Sequence, residues 1–446
     1  MKRYEAYKPT SVEWYPAIPQ GWEWRYLFQI AHEQTIKKPF DEMYPVMTLS
    51  YGEIKRKKNT EAGLVPSNYD SYQMLYKGNI VLRLIDLQND HTSLRTGLVK
   101  ETGIITSAYT CIMPTENPAY IQYLLHSYDT KKVFYGYGGG VRQSIGFKDI
   151  RHLRVPVPPR EEQDQIVRYL DWQVSKINRL IAAKRKRIEL VKEHFSVRIA
   201  NIVCNGLKPN TPMRETGIDY IGAIPSHWTV LQNKRLFKSM NRTFQGIPTV
   251  LSLSQKDGLI PYSEMTERSL HTSSYENWQL VCPNDLVLNR FKAHLGVFFA
   301  SKYTGIVTFH YGVYEAKMPL VAKYYEVLYH TPEYCRVYAG QSRGMTVGLQ
   351  NLSDTNFYST YTVYPPNEEQ REIVTEIEQI EKQQSSIIAG VNRQIEKLQE
   401  FRTRLISDVV TGQVDVRGIE VPDFEYVGET NEAGEQDEEA EEEIDG

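Results

Sequence analysis

Nothing in this 446-residue sequence points to a membrane, an export route or a disulfide framework. No apolar run approaches the ~20 residues that a membrane-spanning helix needs. The opening MKRYEAYKPT lacks the apolar core of a signal peptide, so the expected location is cytoplasmic. Four cysteines, Cys111, Cys204, Cys282 and Cys335, stand far apart in no CxxC pairing, which argues against structural zinc and for reduced, buried thiols.

Signatures of catalysis are missing too. There is no Gly-Lys dipeptide, so a nucleotide-hydrolysing phosphate loop cannot be built. Tyr137-Gly138-Gly139-Gly140 is glycine-rich but lacks the GxGxxG spacing of a dinucleotide site. Both Pro-Pro pairs of interest are followed by Arg160 and Asn367, not by the Tyr or Phe of an amino-methyltransferase tetrad. No GxSxG elbow occurs, and His227, His294 and His310 have no metal-ligand spacing. Asp285 with Glu315-Ala316-Lys317 imitates the metal-binding set of a nuclease, but the other half of the chain does not repeat it.

What is present is a repeat. Ile18-Pro19-Gln20-Gly21-Trp22 returns 206 residues later as Ile224-Pro225-Ser226-His227-Trp228. Pro158-Pro159-Arg160-Glu161-Glu162-Gln163 returns 207 residues later as Pro365-Pro366-Asn367-Glu368-Glu369-Gln370. After each Pro-Pro motif, apolar residues recur at steps of three and four. They are Ile166, Leu170, Ile177, Leu180, Ile188, Val191, Phe195 and Ile202, then Ile373, Ile377, Ile380, Ile387, Val391, Ile395, Leu398, Leu405 and Val409. That spacing predicts two coiled-coil helices of about 44 residues, ~66 Å each. Asn367 with Gln370 predicts a capping box, for which Arg160 is a poorer counterpart; Asn205-Gly206 and Gly412 predict the stops. The economical packing is of the two helices on each other, antiparallel.

Between the motifs lie two inserts rich in short β-like runs broken by Gly, Pro and Asn, and Thr102–Thr106 (TGIIT) matches Thr304–Thr308 (TGIVT). The fold class expected is mixed α/β (α+β): two globular domains separated by two long antiparallel coiled-coil helices in a pseudo-two-fold tandem repeat. Its segments are 1–158, a first helix 159–206, a second domain 207–365, a second helix 366–417, and a disordered acidic tail 418–446. The tail is acidic because residues 419–446 hold thirteen Asp or Glu and no Lys or Arg, which leaves the rest of the chain basic by ten charges. A basic body favours a polyanionic partner.

Candidate contacts to such a partner fall in both inserts. Lys55-Arg56-Lys57-Lys58 forms a basic cluster near Tyr51, with Arg83 ending a strand-like run. Arg290, Lys292 and His294 alternate, which would place them on one face of an extended segment. Glycine-flanked Arg142-Gln143 and Arg343 with Thr346 occupy matching places before each Pro-Pro motif. Arginine suits phosphate and guanine, and glutamine suits adenine edges. Loss of Arg142 or Arg343 should weaken binding to DNA.

Two motif types recurring in register carry a resemblance. Glu215–Trp228 (ETGIDYIGAIPSHW) resembles the segment that opens a target recognition domain in the specificity subunit of type I restriction–modification systems, and Val12–Trp22 is a looser copy. The Pro-Pro-x-Glu-Glu-Gln entry and its long helix resemble that family's spacer regions, so the resemblance spans residues 11 to about 417. It implies a non-catalytic reader of double-stranded DNA, each domain reading one half of a bipartite asymmetric target. It also implies two methyltransferase subunits, which methylate adenine with S-adenosylmethionine, and restriction motor–nuclease subunits using ATP and Mg, with no cofactor bound directly by this chain. The acidic tail is no part of the family pattern. Two other readings stay open at this stage: a coiled-coil protein-interaction scaffold without DNA recognition, and a self-sufficient nuclease built on Asp285 and Glu315.

Overall fold

A computed structural model describes residues 2–428, apart from 13, 40–41, 51, 58–68, 86, 88–94, 138–144, 245–248, 255–257, 265–274, 276 and 343–350. Two long helices, Arg160–Asn205 and Asn367–Val410, run from the Pro-Pro motifs as predicted. The chain forms two compact units that do not follow the linear division. One comprises residues 1–186 with 391–446, the other residues 187–390. Each helix therefore gives its first part to one unit and its second part to the other.

Within each unit the two helix segments run antiparallel. In the first, Arg402 Nη1 donates to Asn178 Oδ1 at 2.9 Å and Lys184 Nζ to Gln394 Oε1 at 2.6 Å, so rising numbers meet falling ones. In the second, Arg198 Nη2 donates to Glu376 Oε1 at 2.9 Å. Most predicted seam residues are buried, among them Ile166, Leu170, Ile177, Phe195, Ile373, Ile377, Val391 and Leu405. Leu180 and Ile387 are not, at 52% and 37% exposed, and Ile181 takes the buried place beside Leu180. A straight α-helix turns past a strict seven-residue repeat, so a stripe extrapolated over many heptads drifts off the contact.

Both globular parts are built on one plan. The first has a four-stranded antiparallel sheet in the order Ala31–Glu33, Thr110–Pro114, Ile80–Leu82, Thr96–Leu98; the second repeats it as Phe237–Ser239, Tyr311–Ala316, Leu286–Asn289, Phe298–Ala300. A hairpin accompanies each sheet, Met47–Ser50 with Glu53–Arg56 and Leu251–Ser254 with Gly258–Pro261. The small cores beneath the hairpins use matching positions: Leu49 and Leu253, Leu75 and Val281, Val81 and Val287, Ile105 and Val307, Cys111 and Val313. The Gly of each TG(I/V) motif is required by close approach. A Cβ on Gly103 would lie 2.7 Å from Pro45 O, and one on Gly305 would lie 2.5 Å from Thr249 O.

All four cysteines are free, and burial pushes the Cys111 thiol up to about 12, where it packs as a small hydrophobe. Much of the tyrosine content is structural: Tyr314, Tyr324, Tyr325, Tyr329, Tyr334 and Tyr338 lie in the core of the second unit.

The repeated motifs meet each other. Trp22 Nε1 donates to Glu162 Oε1 at 3.0 Å, and Trp228 Nε1 donates to Glu369 Oε2 at 3.0 Å. Each carboxylate sits in the first turn of its helix, where the macrodipole also favours it. The following glutamine ties in the rest of the domain. Gln163 Nε2 donates to Pro158 O and Gln370 Nε2 to Pro365 O, both at 2.9 Å. Their Oε1 atoms accept from the backbone N–H groups of Asn117 and Val321 at 3.0 and 2.9 Å. The expected capping box is therefore absent. Asn367 and Arg160 are both the first helical residue, and the glutamine side chain serves the domain instead of the helix end.

The end of the opposite helix closes each clamp. The single Tyr120 O–H is shared between Pro156 O at 2.9 Å and Val410 O at 3.1 Å, and Tyr324 Oη donates to Val203 O at 2.8 Å. The predicted stops hold, with Gly206 and Gly412 at φ +81° and +73°. A Cβ on Gly412 would lie 2.4 Å from Pro19 Cδ, so only glycine fits there. Tyr120→Phe and Tyr324→Phe are each expected to cost about 1 kcal/mol, since a buried helix-terminal carbonyl loses a donor. Urea unfolding of each variant checks this, and an unchanged midpoint would show that the hydroxyl contributes nothing.

Candidate nucleic-acid interface

Lys55 and Arg56 lie exposed on the hairpin strand Glu53–Arg56, while Ile54 between Glu53 and Lys55 is buried. Lys57 follows directly. Lys55 Nζ is 3.5 Å from Glu53, and Arg56 Nε donates to Glu101 Oε1 at 2.8 Å. The hydrogen bond from Arg56 holds the Glu101 carboxyl below its usual range and raises the Arg56 guanidinium. Exposed pairs of this kind exchange easily for a phosphate. Among the described residues the strands of the corresponding second hairpin carry no Lys or Arg, so Lys55 and Arg56 have no counterpart on them. Lys58 and Tyr51 lie outside the described residues.

Arg83 comes just after the strand Ile80–Leu82, half-buried, and its backbone N–H donates to Arg95 O at 2.9 Å. Next to it, Leu84 O accepts from Ile145 N–H at 2.9 Å. The second unit repeats the tie: Arg290 O accepts from Leu352 N–H at 3.0 Å. Arg142, Gln143, Arg343 and Thr346 lie outside the described residues; Ile145 and Leu352, a few positions further along the sequence, bond to the same strand-end junction.

The expected extended face of Arg290, Lys292 and His294 is overturned, because Arg290–Leu295 is a 3-10 helix. Residues two apart on such a helix point in different directions. Arg290 turns inward and donates to Asp354 Oδ1 at 2.7 Å, alongside the Tyr314 hydroxyl at 2.8 Å. His294 is half-buried, and only Lys292 of the three is exposed. The alternating pattern misled because a six-residue run does not distinguish a strand from a tight helical turn.

Sequence reasoning missed an exposed aromatic group. Phe309 and His310 have ring centroids 3.9 Å apart at the turn before Tyr311–Ala316, with Phe291 5.8 Å from His310. The first unit has Ser107 and Ala108 at this turn. The signal was available: TGIIT-SA-Y against TGIVT-FH-Y differs only there and at one Ile/Val exchange.

The Asp285 and Glu315 set resolves into an ion-pair network. Arg242 Nη1 lies 2.5 Å from Asp285 Oδ2 and Nη2 lies 3.0 Å from Glu315 Oε1, so a guanidinium joins the two carboxylates. Among the described residues no group of three or more His, Cys, Asp or Glu is arranged to hold a metal. The strand register puts Val81 and Val287 at matching places, each paired with Cys111 or Val313. Glu315 therefore corresponds to Met113. Asp285 corresponds to Asn79, and both accept a turn N–H, from Cys282 at 2.8 Å and from Tyr76 at 2.7 Å. Arg242 O and Ile36 O make equivalent bonds to Leu280 and Met74, so Ile36, Asn79 and Met113 stand where the second unit has Arg242, Asp285 and Glu315. The same frame carries different side chains on the same strands.

The fold and its clamps define a class: a duplicated α/β fold clamped onto paired long helices. Residues 96–190 match the family model described as the type I restriction modification DNA specificity domain. A Methanocaldococcus jannaschii protein named as the type I restriction enzyme MjaX specificity subunit is 28% identical over 167 residues, or 34% of this chain. The match spans only 38% of that relative's length. A chain from a structure on complex assembly and conformational transition of the type I R-M system superposes with a TM-score of 0.61 at 13% identity, covering 89% of this chain and 99% of the other. The HsdS subunit from Thermoanaerobacter tengcongensis aligns over 89% of this chain and 98% of its own at 15% identity, with a TM-score of 0.45. The resemblance read from the motifs holds: residues 96–190 match the type I specificity-domain model, and the chain is similar to the specificity subunit of a type I system. Among the described residues no helix is long and apolar enough to cross a membrane.

Proposed function

We propose that this chain is a non-catalytic, sequence-specific DNA-binding subunit that directs partner methyltransferase and restriction subunits to a bipartite, asymmetric target. One observation carries the reading: a single clamped frame is present twice, with different side chains at matching exposed places. The basic hairpin of the first unit has a neutral counterpart, and Phe309-His310 stands opposite Ser107-Ala108. Selection for a symmetric scaffold with two unlike surfaces fits a target whose halves differ. Residues 1–158 and 207–365 are the two readers in this proposal, and 159–206 and 366–417 the spacers. Lys55, Arg56 and Lys57 supply phosphate contacts, and the loops with Arg142-Gln143 and Arg343-Thr346 approach base edges. S-adenosylmethionine, ATP and Mg belong to two methyltransferase subunits and to motor–nuclease subunits, and the chain acts in the cytoplasm.

Long-read methylation mapping tests this in cells with the chain and its partner methyltransferase, against cells lacking only the chain. The expected result is a methylated-adenine motif of two defined halves around a fixed gap, lost on deletion. An unchanged methylome would favour the protein-interaction scaffold. In filter binding, Lys55→Ala with Arg56→Ala should reduce the slope of log affinity against log salt by about 2, one per lost phosphate contact. An unchanged slope would remove the hairpin from the interface.

A further inference from the structure

Residues 415–428 do not extend the helix but run back along the first long helix as a strap, all within the first unit. Gln165 Nε2 donates to Val416 O at 3.0 Å and to Ile419 O at 2.7 Å, and Arg168 Nη2 donates to Val421 O at 3.0 Å. Further along, Arg179 Nη2 donates to Glu425 O at 2.8 Å and Asn178 Nδ2 to Val427 O at 3.0 Å, while Val427 N–H donates to Ser175 Oγ at 3.0 Å. Val416 and Val421 are buried, and Lys100 Nζ lies 4.9 Å from the centre of the Tyr426 ring. The tail expected to be disordered from residue 418 is therefore fixed as far as Gly428. Its backbone groups find side-chain partners on the helix, which composition could not reveal.

The strap ends against the basic hairpin. A Cβ on Gly428 would lie 2.6 Å from Glu53 Oε1, and Glu53 itself pairs with Lys55. Beyond Gly428 the sequence holds ten Asp or Glu in residues 429–446 and no Lys or Arg, whereas the hairpin strand ends in Lys55-Arg56 with Lys57 directly after it. A polyanion is thus tethered beside Lys55, Arg56 and Lys57. We propose that residues 429–446 occupy the basic hairpin and compete with duplex DNA for it, so that non-target DNA is held weakly until a full set of target contacts displaces the tail. This rests on the DNA-reading proposal above.

The physical case is one of delivery and charge. Eighteen residues can reach at most ~60 Å, so every basic group of the hairpin is within range of the anchor. A short tether gives an effective concentration on the order of mM, so even a weak contact is well populated. Lys55 and Arg56 already hold carboxylates, those of Glu53 and Glu101, in exposed pairs, so tail carboxylates would replace like with like. Both competitors depend on salt, but the tail brings no base contacts and cannot gain from a matched sequence.

Three proteins test this: the unaltered chain, a chain ending at Gly428 with the strap intact, and a chain with all ten acidic residues of 429–446 changed to Gln or Asn. The first readout needs no DNA: acetylation rates of Lys55, Lys57 and Lys58, followed by mass spectrometry. The second is affinity for a non-specific duplex at low and high salt. Both altered tails should raise lysine labelling several-fold and tighten duplex binding by about tenfold at low salt, with the gap shrinking as salt rises. In a background with Lys55, Arg56, Lys57 and Lys58 changed to Ala, altering the tail should change nothing. Unchanged labelling and unchanged affinity in a chain that does bind DNA would overturn the proposal. Raised labelling in chains that bind no DNA would keep the tail–hairpin contact and overturn the DNA reading beneath the competition.

Discussion

Trp228→Ala is expected to destabilise the second unit by about 3–5 kcal/mol, and Trp22→Ala the first by a similar amount. Both indoles are 1% exposed, so truncation leaves a large cavity. It also strips a donor from Glu162 or Glu369 at the helix entrance. Each indole sits where three pieces of chain meet: the strand end, the start of its own helix and the glycine ending the other helix. Gly206 lies 3.4 Å from the Trp228 ring and Gly412 3.2 Å from that of Trp22, measured to an added Cβ. The loss should therefore loosen both helix segments in that unit. Trp→Phe should keep most of the packing and lose the N–H donor, at about 1–3 kcal/mol. Urea unfolding with hydrogen exchange across the helix ends is the measurement. A cost below about 1 kcal/mol for Trp→Ala would show that the clamp is not what holds domain to helix.

The second large effect concerns Arg242. Burial pushes the Asp285 carboxyl up, with the Arg242 guanidinium and the Cys282 N–H pulling it back down. Arg242→Ala leaves a nearly buried carboxylate without its cation and is expected to cost about 2–4 kcal/mol, less than a fully buried pair because Arg242 is partly exposed. The sign with pH follows from linkage. An acid whose folded pKa is raised binds its proton more tightly folded than unfolded, so its charge subtracts stability as pH rises above the unfolded value. The deficit of Arg242→Ala should thus be largest near neutral pH and shrink as pH falls toward the ordinary unfolded carboxylate value of about 4. Asp285→Asn in the Arg242→Ala background should recover most of the loss. Asn79 shows why: at the same place in the first unit an amide already accepts the turn N–H, beside Ile36 and Met113. A double-mutant cycle measures this. Additive losses would mean that the pair is not coupled.

The clamp was half legible. The motifs Ile-Pro-x-x-Trp and Pro-Pro-x-Glu-Glu-Gln announce themselves by recurring, but their recurrence says nothing of the hydrogen bonds that join them, because 140 residues separate Trp22 from Glu162. Local spacing pairs Gln370 with Asn367 in a capping box, because local spacing is all that sequence offers. In the fold a nearby backbone N–H at Val321 outcompetes the helix end for its oxygen. The interface was less legible still. Alternation alone places Arg290 with Lys292 and His294 on one face of an extended segment, and Asp354, 64 residues away, turns it inward.

By itself the sequence determined the duplication, the two helices with their start and stop signals, the TG(I/V) strands and the segregation of charge. Each of these is a matter of periodicity, turn chemistry or composition, written within a few residues. Tertiary structure decided which helix segments belong to which unit, which charges stay exposed and which pair with Arg242, and that residues 415–428 are a strap. These outcomes depend on groups brought together from distant places in the chain, where burial and hydrogen-bond competition select one partner among several that local sequence leaves equal.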